Sequence, residues 1–192
     1  MATGEAEAGA QNEAAPLLAN GTPPLTPEAL IAKLGELGIA QRTVDHPPLF
    51  TVEQSKALRG ELPGGHTKNL FLRNKKGAMW LVTSLEDRPL DLKKLGELLG
   101  GGRLSFGSAE RLMRHLGVVP GAVTPMAIVN DPEGAVTLVL DAGLLERDPV
   151  NVHPLTNDRT MALASADLIR FAEAVGHPPQ IVDLAQVERD AG

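Results

Sequence analysis

The chain has 192 residues, of which 43% are hydrophobic and 22% charged, with a formal net charge of −6 and no cysteine. This composition is typical of one globular domain, and the lack of cysteine excludes disulfides, thiolate nucleophiles and cysteine metal sites. No apolar run is long enough to predict a membrane span, and the acidic N-terminus lacks the features of a secretory signal. We therefore expect a cytoplasmic protein that does not insert into a membrane.

The beginning of the chain differs in composition from the rest. It is rich in Ala, Gly, Glu, Asn and Pro and shows no hydrophobic periodicity. These features predict a disordered leader at 1–25, a single domain at 26–186 and a short tail at 187–192.

Two helices and a strand are predicted next. Thr26, followed by proline, is typical of a helix start, and Gly38 of its end. A short strand is expected at 42–45. Thr51 and Gln54 then form a capping box for a second helix through about residue 58.

A β-hairpin is the clearest local signal in the middle of the chain. Apolar runs at 67–73 and 78–85 flank the short polar turn 74–77. A helix at 91–99 and a strand at 103–106 are expected to follow.

Beyond residue 107 we predict a helix and a second hairpin. Ser108 is expected to cap a helix that ends near residue 116. Two apolar runs at 126–130 and 136–141 flank the turn-forming residues 131–134, which indicates a hairpin.

The last third alternates between helix and strand. A helical turn is predicted at 142–147, a strand at 160–164, a helix capped by Ser165, and a final strand at 180–184. Hairpins interspersed with helices indicate an α+β fold, in which helices surround a central mixed, mostly antiparallel β-sheet.

The stretch from Gly64 to Leu72 is where we expect the chemistry. Gly64 and Gly65 allow positive φ or a close approach of another group, and Lys68 follows at the mouth of an apolar strand. A lysine beside an apolar wall suits a phosphate or a developing oxyanion. The alternative is a solvated lysine at a strand edge.

Several common catalytic motifs do not occur in this sequence. It contains no His-Glu-x-x-His pair, no Gly-x-Ser-x-Gly elbow, no phosphate-binding loop of the Walker type and no dinucleotide fingerprint. We therefore expect no metal and no cofactor. An enzyme of this composition must work by positioning and electrostatics.

Positive charge is concentrated in one part of this acidic chain. Between His66 and His115 lie ten Lys or Arg residues against five Asp or Glu residues. Such a local basic face fits a partner with a limited number of phosphates, although ordinary surface lysines explain the pattern equally well.

Four segments stand out in order along the chain. They are Asp-His-Pro-Pro at 45–48, Pro-Gly-Gly-His-Thr-Lys-Asn-Leu-Phe-Leu at 63–72, Gly-Ala-Val-Thr-Pro at 121–125 and Asp-Pro-Val-Asn-Val-His-Pro at 148–154. Together they closely resemble the YbaK-like prolyl-tRNA editing family, and the resemblance extends from about residue 27 to 183. Within that family, the chain is most similar to freestanding deacylases that remove alanine from mischarged proline tRNA.

The resemblance implies a partly barrel-like mixed sheet and metal-free hydrolysis of an aminoacyl ester. It assigns catalysis to Lys68, Asn69, Gly121 and His153, with assistance from the adenosine 2′-hydroxyl. The implied substrate-binding residues are Gly65, His66, Thr67, Ala122, Val123, Thr124 and Pro125. Arg73 and Arg103 would approach the acceptor stem.

Several of these roles have alternatives. Lys68 holds either the terminal phosphate or the reacting ester. His153 binds the amino group or water, or it only holds Asn151 and the loop. His66 is alternatively a solvated loop histidine, and Asn69 a turn-forming residue.

The leading hypothesis is therefore trans-editing of alanyl-tRNA(Pro) by a monomer, with prolyl-tRNA synthetase as a further expected partner. A pocket that admits alanine but excludes the larger proline would provide selectivity. Leu70, Trp80 and Leu85 are candidates for its lining or are ordinary core. The alternatives are deacylation of cysteinyl-tRNA(Pro) and a non-catalytic module that binds tRNA or the synthetase.

Overall fold

A mixed β-sheet forms the centre of the protein in this computed structural model, which describes residues 15–49, 52–59 and 62–189. Its strands are β1 (Gln41–Asp45), β2 (Gly65–Arg73), β3 (Met79–Leu85), β4 (Ser105–Phe106), β5 (Val136–Asp141), β6 (Val150–Val152), β7 (Arg159–Leu163) and β8 (Gln180–Val182). The α-helices are α1 (Pro27–Glu36), α2 (Val52–Arg59), α3 (Leu92–Leu98), α4 (Ala109–Leu116), α5 (Ala142–Leu145) and α6 (Ser165–Ala174), and Pro125–Asn130 and Leu184–Val187 are 3₁₀ helices.

The strand order is β1-β7-β6-β2-β3-β5-β8, with β4 paired to β2 beside this path. The pairs β1–β7, β2–β3, β2–β4 and β6–β7 are antiparallel. The pairs β2–β6, β3–β5 and β5–β8 are parallel. The predicted α+β class, with a mixed sheet and helices around it, is confirmed.

The sheet separates two hydrophobic cores because side chains alternate along β2 and β3. Phe71 pairs with Leu81 and both belong to the larger core, which also contains residues of α1, α4 and α6. Leu72 pairs with Trp80 in the smaller core, beside α3. The first predicted hairpin is confirmed, with β2 beginning two residues earlier than expected.

The second predicted hairpin is wrong. Residues 126–130 lie in the 3₁₀ helix Pro125–Asn130, because the Thr124 side chain accepts a hydrogen bond from the Met126 amide and proline occupies the first turn. The Asp131 carboxylate then accepts hydrogen bonds from the amides of Ala135 and Val136. This turn directs the chain into β5, which pairs in parallel with β3 instead.

Two further features differ from the sequence prediction. The strand β6 was not predicted, because its three residues are too few to show a period. Ser165 is the first residue of α6 rather than its cap, which is Ala164 without a side-chain bond. The Asp148 carboxylate accepts a hydrogen bond from the Ser165 amide at 3.0 Å instead.

Part of the predicted leader is folded onto the domain. Leu18 is buried, and the Ala19 amide donates to the Arg114 carbonyl at 2.7 Å. The Leu25 amide donates to Asn130 Oδ1 at 2.9 Å. The remainder of the predicted leader, at 1–14, and the cap residue Thr51 lie outside the described residues, as do 190–192 of the predicted tail.

None of the described helices combines the length and the apolarity that crossing a bilayer requires.

Candidate active site

Two glycines allow the chain to enter β2 tightly against the loop before β6. Gly64 has a φ of +104°, and a Cβ there would lie 2.1 Å from the Pro149 carbonyl oxygen. A Cβ on Gly65 would lie 2.7 Å from the Cβ of Arg147. The Gly65 amide donates to the Pro149 carbonyl at 2.8 Å. Any side chain at either position would force these two loops apart.

Asn151 of β6 fixes the same loop from the other side. Its Nδ2 donates to the carbonyls of Pro63 and Gly65, at 3.0 Å and 3.3 Å. The Thr67 hydroxyl donates to the Asn151 carbonyl at 2.8 Å. Asn151 is not among the site residues predicted from the sequence, although it lies two positions before His153 in a segment that carries the family resemblance.

These loops enclose a small polar cleft of about 60 Å³. Its lining residues are Leu49, His66, Thr67, Glu86, Asn151, Val152, His153 and Thr160. The structure therefore brings together three residues predicted from sequence, which are His66, Thr67 and His153.

The protonation state of His153 follows from its contacts. Its Nδ1 lies 3.1 Å from the Arg159 carbonyl oxygen, which only accepts, so Nδ1 carries the hydrogen. Burial lowers the pKa of His153 below its ordinary value of 6.5. The imidazole is therefore neutral near pH 7, and Nε2 presents a lone pair that no group within the described residues engages.

His66 lies between the cleft and the loop before β2. Its Nε2 lies 2.9 Å from the Leu62 carbonyl oxygen. This contact assigns the hydrogen to Nε2 and leaves Nδ1 as an acceptor in the neutral ring. His66 is therefore held in place by the loop and is not a freely rotating surface residue.

The 121–125 turn lies beside the segment that carries His153. The Thr124 hydroxyl donates to the His153 carbonyl at 2.6 Å, and Gly121 has a φ of +90°. The amides of Gly121, Val123 and Thr124 have no acceptor among the described residues. Unpaired amides in one turn are the kind of donor that stabilises an oxyanion.

A second, larger cavity of about 450 Å³ adjoins the cleft, and both are lined by His66 and Glu86. The Lys68 ammonium donates to the main-chain carbonyl of Arg88, a lining residue of this cavity. Burial lowers the pKa of Lys68 from its ordinary value of 10.5, and the nearby Asp87 opposes that effect. Lys68 thus reaches the wall of the larger cavity, although it is a lining residue of neither.

A buried ion pair holds this wall in place. Arg88 Nε lies 2.9 Å from Asp141 Oδ2, and the Asp141 side chain is fully buried. Arg88 Nη1 lies 2.5 Å from Glu188 Oε1. Asp141 also accepts from the Gly143 amide at 3.1 Å. Arg88 therefore connects the end of β5 to the carbonyl that binds Lys68.

The structure places Asn69 on the opposite face of β2 from Lys68, because neighbouring strand residues alternate. Asn69 Oδ1 accepts a hydrogen bond from the Thr83 hydroxyl at 2.7 Å. Among the residues considered for selectivity, Leu70 and Trp80 pack in the smaller core, whereas Leu85 lines the larger cavity.

Arg73 and Arg103 lie away from the cleft. Arg73 ends β2 eight residues after Gly65, roughly 26 Å along the strand. Arg103 is exposed and lines a different cavity of about 330 Å³ together with Lys75 and Lys76. The structure therefore does not bring these two basic side chains together with His66, Thr67 and His153.

The comparisons with known proteins show the family to which the chain belongs. A family model described as the aminoacyl-tRNA editing domain matches residues 46–171. The prolyl-tRNA synthetase associated domain-containing protein 1 of Mus musculus is 40% identical over 156 residues, which cover 79% of this chain and 92% of that protein. The prolyl-tRNA editing protein ProX of Acetoanaerobium sticklandii is 37% identical over 158 residues, with 82% and 96% covered.

A solved structure supports the fold independently. It is described as a candidate trans-editing enzyme for prolyl tRNA synthetase, and it superposes with a TM-score of 0.65 at 23% identity, covering 83% of this chain and 98% of the other. From the matched domain and the two relatives, we conclude that the chain belongs to the YbaK-like prolyl-tRNA editing family of aminoacyl-tRNA deacylases.

Proposed function

We propose that this protein deacylates alanyl-tRNA(Pro) in trans, by attack of water on the aminoacyl ester. The observation that carries the proposal is the 60 Å³ cleft between His66, Thr67 and His153. A cleft of this size suits a methyl side chain better than a pyrrolidine ring, which favours alanine over proline. The resemblance of the Pro-Gly-Gly-His-Thr-Lys-Asn segment favours alanine over cysteine, and the deacylation panel below decides between them.

The reaction is a hydrolysis in which the water oxygen bonds to the ester carbonyl carbon. Negative charge develops on the carbonyl oxygen, and the unpaired amides of Gly121, Val123 and Thr124 are suited to receive it. The intermediate then collapses, the bond from carbonyl carbon to ribose oxygen breaks, and that oxygen takes a proton. The products are free alanine and uncharged tRNA.

Proton transfer in this scheme is shared between the protein and the substrate. The lone pair on His153 Nε2 is suited to orient or accept a proton from the attacking water. The adenosine 2′-hydroxyl assists, and the route uses no metal ion. The Lys68 ammonium donates to the Arg88 carbonyl at the wall of the larger cavity, and in this proposal it holds the terminal phosphate or the ester once the tRNA is bound.

The rest of the tRNA would lie along β2. The distance of roughly 26 Å from Gly65 to Arg73 is comparable to the length of an acceptor stem, so Arg73 and Arg103 would contact its phosphates. We further propose a cytoplasmic monomer that acts on tRNA released from prolyl-tRNA synthetase. Asn69 supports the site through its bond to Thr83.

The decisive experiment is a deacylation panel. Proline tRNA charged with Ala, Cys, Ser or Pro is offered to the purified protein and to Lys68→Ala, and release of the amino acid is timed. We expect rapid release of alanine by the parent and slow release by the variant. Faster release of cysteine or serine would reassign the substrate, and binding without any hydrolysis would indicate a non-catalytic module.

A further inference from the structure

The C-terminal segment 184–189 packs against the loop that follows β3. It consists of the 3₁₀ helix Leu184–Val187 and the next two residues. The Asp91 amide donates to the Val187 carbonyl at 2.8 Å, and the Arg189 amide donates to the Pro89 carbonyl at 2.7 Å. This segment lies beyond residues 46–171, which match the editing-domain model, so the match assigns it no role.

Within this segment, the Glu188 side chain contacts Arg88. Arg88 Nη1 lies 2.5 Å from Glu188 Oε1, and Arg88 Nε lies 2.9 Å from Asp141 Oδ2. One carboxylate thus comes from the C-terminal segment and the other from β5. Because the Arg88 side chain is only 11% exposed, the guanidinium between these two carboxylates has little room to reorient.

The two carboxylates differ in what else they bind. Asp141 also accepts hydrogen bonds from the Ser84 hydroxyl and from the Leu85 and Gly143 amides, so its removal would disturb the end of β3 directly. The Glu188 carboxylate bonds only to Arg88 among the described residues, and its side chain is 44% exposed. The Glu188 carboxylate can therefore be changed with little loss of stability.

The main-chain carbonyl of Arg88 links this ion pair to Lys68. The Lys68 ammonium donates to that carbonyl, and both Arg88 and Glu188 line the larger cavity. The Arg88 amide donates to the Leu85 carbonyl at 3.1 Å, so residue 88 lies in a turn between β3 and the C-terminal segment. A shift of the Arg88 side chain would therefore also move the carbonyl that accepts from Lys68.

Resting on the proposed function, we propose that Glu188 is a positioning residue for Lys68. By holding the Arg88 guanidinium, the Glu188 carboxylate fixes the carbonyl that keeps the Lys68 ammonium at the cavity wall before the tRNA binds. Glu188 does not contact the reacting ester in this proposal. Its effect on the reaction passes through Arg88 to Lys68.

The test is a double-mutant cycle of Glu188→Gln and Lys68→Met, with deacylation of alanyl-tRNA(Pro) as the measurement. Because a misplacement of about 1 Å can cost about 10²-fold in rate, we expect Glu188→Gln to lower kcat/KM roughly 10-fold. The loss should be divided between kcat and KM as it is in Lys68→Met. In the Lys68→Met background, Glu188→Gln should have no further effect, because changes that act through one residue are not additive.

The matched control is Glu173→Gln, which removes the same charge from an exposed position on α6 and should leave kcat/KM unchanged. An equal loss from Glu188→Gln in both backgrounds overturns the proposal, because Glu188 would then act independently of Lys68. Full activity of Glu188→Gln overturns it as well. If Glu188→Gln does not fold, Glu188→Asp gives the same comparison, since its shorter side chain would leave Arg88 at a greater distance.

A second measurement needs no deacylation. Lys68 is half-buried, and its labelling by an amine reagent is followed by mass spectrometry in the parent and in Glu188→Gln. We expect the labelling rate of Lys68 to rise at least about 2-fold, the lower limit for coupled residues, while Lys33 on α1 is labelled equally in both proteins. An unchanged rate at Lys68 overturns this inference, whereas a parent that does not hydrolyse alanyl-tRNA(Pro) overturns the proposed function.

Discussion

The Thr124 hydroxyl donates a hydrogen bond of 2.6 Å to the main-chain carbonyl of His153. This bond joins the turn that carries the unpaired amides to the segment that carries the imidazole. We expect Thr124→Val to lower the free energy of unfolding by about 1–3 kcal/mol, because a buried carbonyl loses its donor. Displacement of the turn should also lower kcat, by up to about 10²-fold.

Thr137→Val is the matched control for this change, because Thr137 is only partly buried on β5 and lies outside the site. Its unfolding free energy should change by no more than about 0.5 kcal/mol. Chemical denaturation and single-turnover deacylation measure the two effects. Full activity in Thr124→Val would show that the turn and His153 work independently.

Lys68 should matter more for activity than for stability. Lys68→Met removes the cation but retains an unbranched chain, and it also removes the cost of burying an ammonium group. We expect kcat/KM for alanyl-tRNA(Pro) to fall roughly 10- to 150-fold, as for loss of one charged hydrogen bond. Thermal unfolding should change little. Lys33→Met, on α1 and away from both cavities and from the basic side chains around Arg103, is the control. An equal loss in both variants would refute a specific role of Lys68.

The glycines before β2 should not tolerate a side chain. Gly64→Ala places a Cβ 2.1 Å from the Pro149 carbonyl oxygen, at a φ of +104°. We expect a loss of at least about 2 kcal/mol in stability together with loss of activity. Gly35→Ala, in α1 with nothing within 4 Å of the added Cβ, should instead stabilise the protein by up to about 1 kcal/mol. Denaturation midpoints of the two variants should therefore shift in opposite directions.

The pH dependence of the deacylation rate and of the free energy of unfolding should reflect the protonation of His153. Because burial lowers the pKa of His153 below 6.5, the Nε2 lone pair that we propose acts on the attacking water should persist below pH 6.5 and disappear only on further acidification. The folded state also binds this proton more weakly than the unfolded chain. Stability is therefore lost as pH falls from 6.5 to the lowered pKa and levels off below it.

In His153→Gln the deacylation rate should be lower at every pH, and it should no longer fall as the pH becomes acidic. His115→Gln is the control, since burial also lowers the pKa of His115 but this residue lies on α4 outside the cleft. In His115→Gln the deacylation rate should still fall at acidic pH, as in the parent. An acid limb that survives in His153→Gln would assign the titrating group to another residue or to the substrate.

The Arg88–Asp141 pair should be costly to break. Among the described residues, Asp141→Ala leaves the Arg88 guanidinium with the Glu188 carboxylate, and it also removes the acceptor of the Ser84, Leu85 and Gly143 hydrogen bonds. Because removing one partner of a buried pair alone costs about 3–5 kcal/mol, the unfolding free energy should fall by at least that amount. Asp167→Ala breaks the Asp167–Arg170 pair, which is more exposed, and should cost no more than about 1 kcal/mol. Urea denaturation measures the free energy of unfolding of both variants. Equal costs would mean that the buried pair contributes no more than a surface one.

The sequence predicted those parts of the protein in which local signals decide the outcome. Thr26 and Ser108 cap their helices as expected, because a cap needs only the amides two or three residues ahead. The hairpin of β2 and β3 is specified by a short turn between two apolar runs. Because neighbouring side chains along a strand point to opposite faces of the sheet, the sequence also predicts that Phe71 and Leu72 belong to different cores.

The predictions from sequence are wrong or incomplete where the local conformation depends on residues far away in the chain. The apolar run 126–130 fits a strand equally well, and only the Thr124 cap and the Asp131 turn select the 3₁₀ helix. The strand β6 exists because it pairs with β2, 85 residues earlier at the Gly65–Val150 pair. In the site, the motifs predicted roles for His153 and Lys68, which stay predictions, and the structure places His153 in the polar cleft. No local pattern shows that the Asn151 acceptor is unsatisfied or that Lys68 reaches the Arg88 carbonyl.

The attachment of residues 18–25 affects how the protein should be shortened. Composition suggests trimming the chain to residue 26, yet that cut would remove Leu18 from its burial site and deprive Asn130 Oδ1 of the Leu25 amide. Because Asn130 Nδ2 also binds the Leu116 carbonyl, the damage would extend to the end of α4. A protein trimmed at residue 15 keeps all these contacts and is the safer starting point for crystallisation.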